Sequence, residues 1–196
     1  MSTKYKSKKL NKPTFTQWGD PVLHKPTKLV PQSEVGKPTF KKLVRKMFRT
    51  IQGMGVGLAA NQIGLSTKLA VIEIKLTKPV KGLKSVPPTV VINPKITSYS
   101  RNKIGGWEGC LSCNGVRFWV DRTVFINITY INEHGEKIKR KVSGWEARVF
   151  QHEIDHLNGK VCGEQVVTEN GKVASGAIIS AVWYKKHPRN KVSVKK

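Results

Sequence analysis

Acidic side chains are scarce in this sequence. Twelve Asp and Glu stand against 36 Lys and Arg, a formal charge of +24 over 196 residues. Such an imbalance favours polyanionic partners or simple solubility, and it carries no information on fold. Both ends lack acids altogether: residues 1–12 hold five lysines, and residues 185–196 hold Lys185, Lys186, Arg189, Lys191, Lys195 and Lys196. These ends read as solvated basic tails, 1–14 and 185–196, around a single domain over 15–184. Long apolar runs are also missing, which excludes a membrane-spanning helix and leaves no membrane partner to expect. Met1 to Pro13 shows no apolar core of a secretory signal, and its lysines come without the arginines of a mitochondrial transit peptide. Cysteine is rare and odd in number, three in all, which argues against a disulfide framework and for a reducing, cytoplasmic location. No internal repeat is apparent, and 196 residues suffice for one sizeable core, expected to be monomeric.

What is present centres on Gln151-His152-Glu153-Ile154-Asp155-His156. Positions i and i+4 share one face of a helix, so His152 and His156 can reach one metal ion, with Glu153 beside it. A helix is predicted here because Ser143 and Glu146 form a capping-box pattern, and Gly159 follows Asn158 as a helix-ending glycine would. Val149, His152, Glu153 and His156 make one stripe. A bare H-E-x-x-H also occurs by chance in core helices, so a third ligand is needed. Cys110, Cys113 and Cys162 are the soft-ligand candidates.

Upstream, Pro38 starts a helix with Phe40, Leu43, Val44, Met47, Phe48 and Ile51 on its apolar side, and Gly53 ends it. Gly55-Val56-Gly57-Leu58-Ala59-Ala60-Asn61-Gln62 lets another backbone approach closely, and it lacks the Gly-Lys-Ser/Thr of a phosphate loop. Leu69 to Ile74 and Val90 to Pro94 read as strands, the second ended by its proline, with 75–89 a loop. Gly105-Gly106 reads as a turn. Val124 to Tyr130 and Lys137 to Val142 form a hairpin about Glu133-His134-Gly135. A second hairpin is expected about Asn170-Gly171, and Ala177 to Tyr184 fits helix or strand equally. The fold class expected is α+β, with short, mostly antiparallel strands packed around the central H-E-x-x-H helix.

Two rival readings concern Cys110-x-x-Cys113. A structural Cys2His2 zinc site would have to span the 38 residues between Cys113 and His152, and a thioredoxin-like redox pair lacks its βαβ context. Three motifs in order weigh against both. Gly55 to Gln62, Glu108-Gly109-Cys110-Leu111-Ser112 and Gln151 to His156 resemble those of the peptide deformylases, and Trp18 to Leu23 resembles that family's N-terminal segment. The similarity runs from about Trp18 to about Val167, and the Ser143-Gly144-Trp145 approach to the helix resembles the subgroup that includes organellar enzymes.

The resemblance implies hydrolytic removal of the formyl group from N-formylmethionine on nascent peptides. It implies one divalent ion, Fe(II) natively with Zn(II) or Ni(II) possible, on Cys110, His152 and His156. It makes Glu153 the general base and acid acting on a metal-bound water, and Gln62 with the Leu111 N–H the oxyanion donors. Gly55, Val56, Gly57 and Gly109 would hold the peptide, with Val56, Trp145, Arg148 and Val149 bordering the methionine pocket. Cys113 departs from the family pattern. Arg122 is placed to pair with Asp155 and brace the helix. The alternatives are an H-E-x-x-H peptidase and a basic, ribosome-associated binding protein; contact with ribosomal RNA through the tails is compatible with the leading reading too.

Overall fold

The computed structural model describes residues 14–78 and 83–165, together with the backbone of 168–169, 172–173 and 178–180. Residues 1–13 and 181–196, which carry the basic tails, lie outside the described residues. In chain order the elements are α1 (Pro38–Ile51), β1 (Gly57–Ala59), β2 (Leu69–Ile74), β3 (Val86–Tyr99), β4 (Lys103–Glu108), β5 (Val116–Thr123), β6 (Phe125–Ile131), β7 (Lys137–Ser143), α2 (Gly144–Leu157), β8 (Thr168–Glu169), β9 (Lys172–Val173) and β10 (Ile178–Ser180). The strands form an antiparallel sheet ordered β1-β2-β3-β6-β7, a smaller sheet ordered β10-β5-β4, and the pair β8-β9. The architecture is α+β, with α2 at its centre.

The two helices cover opposite faces of the larger sheet, which explains why β2 is apolar at nearly every position. Leu69 and Val71 pack with Phe40, Val44, Met47 and Ile51 of α1. Ala70, Ile72 and Ile74 point the other way and pack with Ala147, Phe150, Ile154 and Leu157 of α2. On β6 only one face is covered, so burial alternates: Ile126, Ile128 and Tyr130 are buried and the residues between are half-buried. The helix α2 also touches β5 of the smaller sheet, so it is enclosed from two sides. A third cluster, Leu23, Cys113, Phe118, Val120, Val161 and Cys162, lies under β5. Among the described residues no helix is long and apolar enough to cross a membrane.

Several local expectations are corrected. The second strand is longer than predicted and runs through Pro87, Pro88 and Pro94. Its first half pairs with β2 and its second with β6, and the register shifts between Ile92 and Lys95. Pro94 sits in that irregularity, next to Asn93 at φ 51°, where the ladder is broken. Asn93 meanwhile uses its side chain to bond both the N–H and the carbonyl of Val30. Gly105 and Gly106 are not a turn; both lie within β4. The capping box at Ser143 does not form: the Ser143 side chain makes no cap bond, and Glu146 pairs with Arg140 of β7 instead. The strand β5, which no pattern announced, is central to the smaller sheet. The second hairpin exists as β8 and β9, with its turn outside the described residues. The undecided apolar stretch contributes strand β10, paired with β5.

Candidate metal centre and catalytic site

α2 presents His152, Glu153 and His156 toward the loop that follows β4. The two imidazole rings meet edge to face at 4.9 Å between centroids. The Cys110 Sγ lies 3.2 Å from His156 Nε2, and the donor atoms of Cys110, His152 and His156 all fall within 4.8 Å of one another. One sulfur and two ring nitrogens in a half-buried position form the donor set of a catalytic metal site, which takes three protein ligands and leaves a position open. These three residues could hold one divalent ion.

The loop around Cys110 is fixed from several directions. Cys113 N–H closes a turn onto the Cys110 carbonyl at 3.1 Å, and Ser112 N–H donates to Cys110 Sγ at 3.4 Å. The N-terminal segment straps over it, with Trp18 N–H donating to the Ser112 carbonyl at 2.8 Å. Gln62 is buried, and its side-chain carbonyl accepts from Ala59 N–H at 2.9 Å. Its amide nitrogen therefore faces the site, 3.5 Å from Cys110 Sγ and 3.4 Å from Ser112 Oγ.

Glu108 ties the centre together. Its carboxylate accepts from Arg122 Nε and Nη2 at 2.9 Å, from Arg148 Nη1 at 2.8 Å, and pairs with His152 Nδ1 at 3.0 Å. Burial alone would raise the Glu108 carboxyl, but the Arg122 and His152 hydrogen bonds and charges hold it well below the usual carboxylate range. Burial disfavours the charged His152 ring, yet Cys110 and Glu108 raise its pKa well above the ordinary value. The hydrogen bond to Nδ1 fixes the ring and turns Nε2 toward the triad, the usual outer-shell device for a metal-binding histidine. Arg122 reaches Asp155 as well, the pairing expected of it. Burial opposes the charge on both arginines; Glu108 and Asp155 outweigh it at Arg122, whose pKa rises, whereas at Arg148 burial, reinforced by the neighbouring Arg122 charge, prevails over Glu108 and Asp121, and the pKa falls.

Glu153 is buried beside this triad. Burial pushes its carboxyl up to about 7, and its Oε2 is buried without a hydrogen-bond partner among the described residues. An unpartnered carboxylate oxygen next to three metal-type donors fits an ion and a water held at this point. Gly57 allows the approach: a Cβ there would sit 2.4 Å from Glu153 Oε1. Gly105 and Gly106 serve packing in the same way, since a Cβ would meet the Trp119 ring at 2.4 Å and the Arg148 guanidinium at 3.0 Å.

A cavity of about 340 Å³ opens over these groups. Every residue that the resemblance assigns to the metal, the catalysis or the peptide lines it except His156, which belongs to the triad. β1 is the edge of its sheet, so Gly55 to Gly57 lead into a strand whose outer side faces no other described strand. Leu111 lines the cavity between Cys110 and Ser112. Val149 is buried, and Trp145 and Val56 each pack, partly buried, against the same core cluster. Arg148 lines the cavity, but its guanidinium is engaged by Glu108 and by the carbonyls of Ile104 and Val120, at 2.6 and 2.9 Å for the two carbonyls. Sequence reading quoted Glu108 within its motif and missed its role, because its partners stand 14 to 44 residues away. Cys113 gathers with Cys110 and Cys162 and not with the histidines, which removes the geometry of a Cys2His2 zinc site.

Comparison with known proteins gives one answer. A family model described as polypeptide deformylase matches residues 13–171. "Peptide deformylase 1A, chloroplastic" of Solanum lycopersicum is 36% identical over 162 residues, 78% of this chain and 58% of that protein. The peptide deformylase of Leptospira biflexa is 40% identical over 143 residues, 72% of this chain and 80% of that protein. A Met-Ala-Ser-bound crystal structure of the class I type b peptide deformylase from Acinetobacter baumannii superposes with a TM-score of 0.73 at 28% identity, covering 78% of this chain and 96% of that one.

Proposed function

The chain belongs to the polypeptide deformylase family, and from that premise we infer that it hydrolyses the formyl group from N-formylmethionine at the start of newly made polypeptides. The observation that carries this reading is the convergence of Cys110, His152 and His156 beside Glu153 and Gln62 in one cavity. A divalent ion on the three donors supplies Lewis acidity for the formyl carbonyl and for water. Glu153 accepts the proton of the attacking water and returns it to the leaving amine; its raised pKa suits a group that must hold and release a proton near neutrality. The Gln62 amide nitrogen and the Leu111 N–H stabilise the developing oxyanion, and one such donor contributes about 2.7–4 kcal/mol. Glu108 holds His152 in place.

The peptide adds to the free edge of β1 along Gly55, Val56 and Gly57, with Gly109 on the opposite wall, in a strand-addition mode. Val56, Trp145 and Val149 border the methionine side chain, while Arg148 shapes that wall through its hold on Glu108 and β4. The native ion is Fe(II), with Ni(II) or Zn(II) able to replace it, since a set of one thiolate and two imidazoles accepts all three. The enzyme acts as a monomer in the cytoplasm, a reading whose support is the sequence's three cysteines, an odd number suited to a reducing compartment. The tails at 1–12 and 185–196 add salt-sensitive affinity for ribosomal RNA; their support is their charge alone.

The test is formate release from formyl-Met-Ala-Ser by protein loaded under argon with Fe(II), Ni(II) or Zn(II). Turnover should be highest with Fe(II) and should decay in air, as a ferrous thiolate centre is open to oxidation. No formate with any of the three ions would overturn the reading.

A further inference from the structure

Cys110 belongs to two clusters at once. On one side its sulfur faces the histidines of α2. On the other, the sulfurs of Cys113 and Cys162 lie within 4.8 Å of it and of each other. The two additional thiols are buried, with 6% and 2% of their surfaces exposed, and none of the three cysteines is in a disulfide. They come from separate parts of the fold. Cys113 closes the turn onto Cys110, and Cys162 opens the helical turn Cys162–Gln165 behind α2. Leu23, Phe118, Val120 and Val161 wall the group in. Deformylation uses neither Cys113 nor Cys162.

A single buried cysteine packs as a small apolar residue. Three sulfurs gathered at one point have a further capability. Thiolates bound to one tetrahedral zinc-like ion at about 2.3 Å stand roughly 3.8 Å apart, so sulfurs already within 4.8 Å need little movement to share an ion. Soft thiolate sets select soft cations over the harder ions that imidazole and carboxylate accept equally well.

We propose that Cys110, Cys113 and Cys162 form a second metal site that takes one thiophilic divalent cation of the zinc and cadmium class, with Cys110 shared between it and the catalytic triad. Each thiol gives up its proton to solvent as its metal–sulfur bond forms, and no electron changes hands. The divalent charge offsets thiolates that would otherwise be buried without compensation. Because the Cys110 sulfur then serves two ions, filling the second site weakens the hold of the first. Soft cations in excess therefore slow the enzyme by competing for the Cys110 sulfur. The proposal shares Cys110 with the deformylase reading, but its test is read on the metal and not on turnover.

The test loads the full-length protein with one equivalent of Ni(II), adds one equivalent of Cd(II), and records X-ray absorption at the cadmium edge. The expected first shell is sulfur-dominated, with three sulfurs. A shell of one sulfur and two nitrogens would mean that cadmium merely occupies the catalytic triad, and would overturn the proposal. A double variant, Cys113→Ser with Cys162→Ser, should bind Ni(II) as the parent does while its cadmium affinity, measured against a chromophoric chelator, falls at least tenfold. Parental cadmium affinity in that variant would also overturn it. If the double variant fails to fold, the shell in the parent decides alone. A three-sulfur shell in a protein that releases no formate would keep this site and sink the deformylase reading.

Discussion

The helices α1 and α2 are each 14 residues long and press on opposite faces of the same sheet, yet they are held by different physics. In α1 the buried residues are Phe40, Val44, Met47 and Ile51, and the cations Lys41, Lys42, Arg45, Lys46 and Arg49 stand in solvent. That is an ordinary amphipathic helix, anchored by removing apolar surface from water. In α2 nine residues are buried, and Arg148, Gln151, Glu153 and His156 are among them. Those polar groups are tolerable only because partners meet them: Gln151 bonds Thr123 and Ala147, Arg148 bonds Glu108, and the triad gathers the rest. The exceptions are Glu153, whose Oε2 has no such partner among the described residues, and His156, whose Nδ1 has none either. A scaffold helix buries what water rejects; α2 buries what water would otherwise solvate, and leaves Glu153 Oε2 and His156 Nδ1 unsatisfied beside the triad.

Substitutions separate the two cases. The largest effect is expected at Cys110. Cys110→Ser should lose the metal and essentially all formate release, whereas Cys113→Ser, a neighbour in sequence and in space, should keep both; metal content by mass spectrometry together with turnover reads the pair. If Cys113→Ser alone stripped the catalytic metal, the ligand assignment would be wrong.

Next comes Glu108→Gln, which leaves Arg148 buried against a neutral partner and Arg122 with Asp155 as its remaining carboxylate. Breaking a buried ion pair in this way costs about 3–5 kcal/mol, measurable by urea unfolding. The pH dependence has a definite sign. The folded carboxyl is held below its ordinary value, so its contribution is present above about pH 4.5 and is lost as pH falls below that value. The variant should show a shallower acid limb in stability against pH. An acid limb identical to the parent's would remove Glu108 as the keystone of the network.

The smallest functional effect is expected on α1. Met47 is fully buried, and Met47→Ala should cost about 2–5 kcal/mol of stability while leaving kcat per folded molecule unchanged. A matching loss of kcat would show that α1 is more than scaffold.

The same contrast explains how far the sequence could be read. Periodic and capping signals are local, so Pro38 at the start of α1, the His152–His156 face and the turn at Gly135 were all legible. The three motifs, taken together, also identified the family. Features that depend on distant partners were not. Nothing near Glu108 announces Arg122, Arg148 and His152, and Cys162 meets Cys110 only after β5, β6, β7 and α2 have intervened in the chain. Glycine was ambiguous for the same reason. Gly105-Gly106 resembles a turn until Trp119 and Arg148 are seen lying against a strand that has room for no side chain. Prolines misled in β3, where the ladder breaks and changes partner at the very place Pro94 sits.

The central claim is that α2 carries a proton-handling carboxylate that is not itself a ligand. Its most direct test is Glu153→Ala, purified under argon, with metal content and formate release measured on the same sample. The variant should retain one ion per chain and lose activity by at least the 10²–10⁴-fold typical of a general acid–base group. Turnover near the parental rate in the metal-loaded variant would contradict the account, and loss of the ion would make Glu153 a ligand instead.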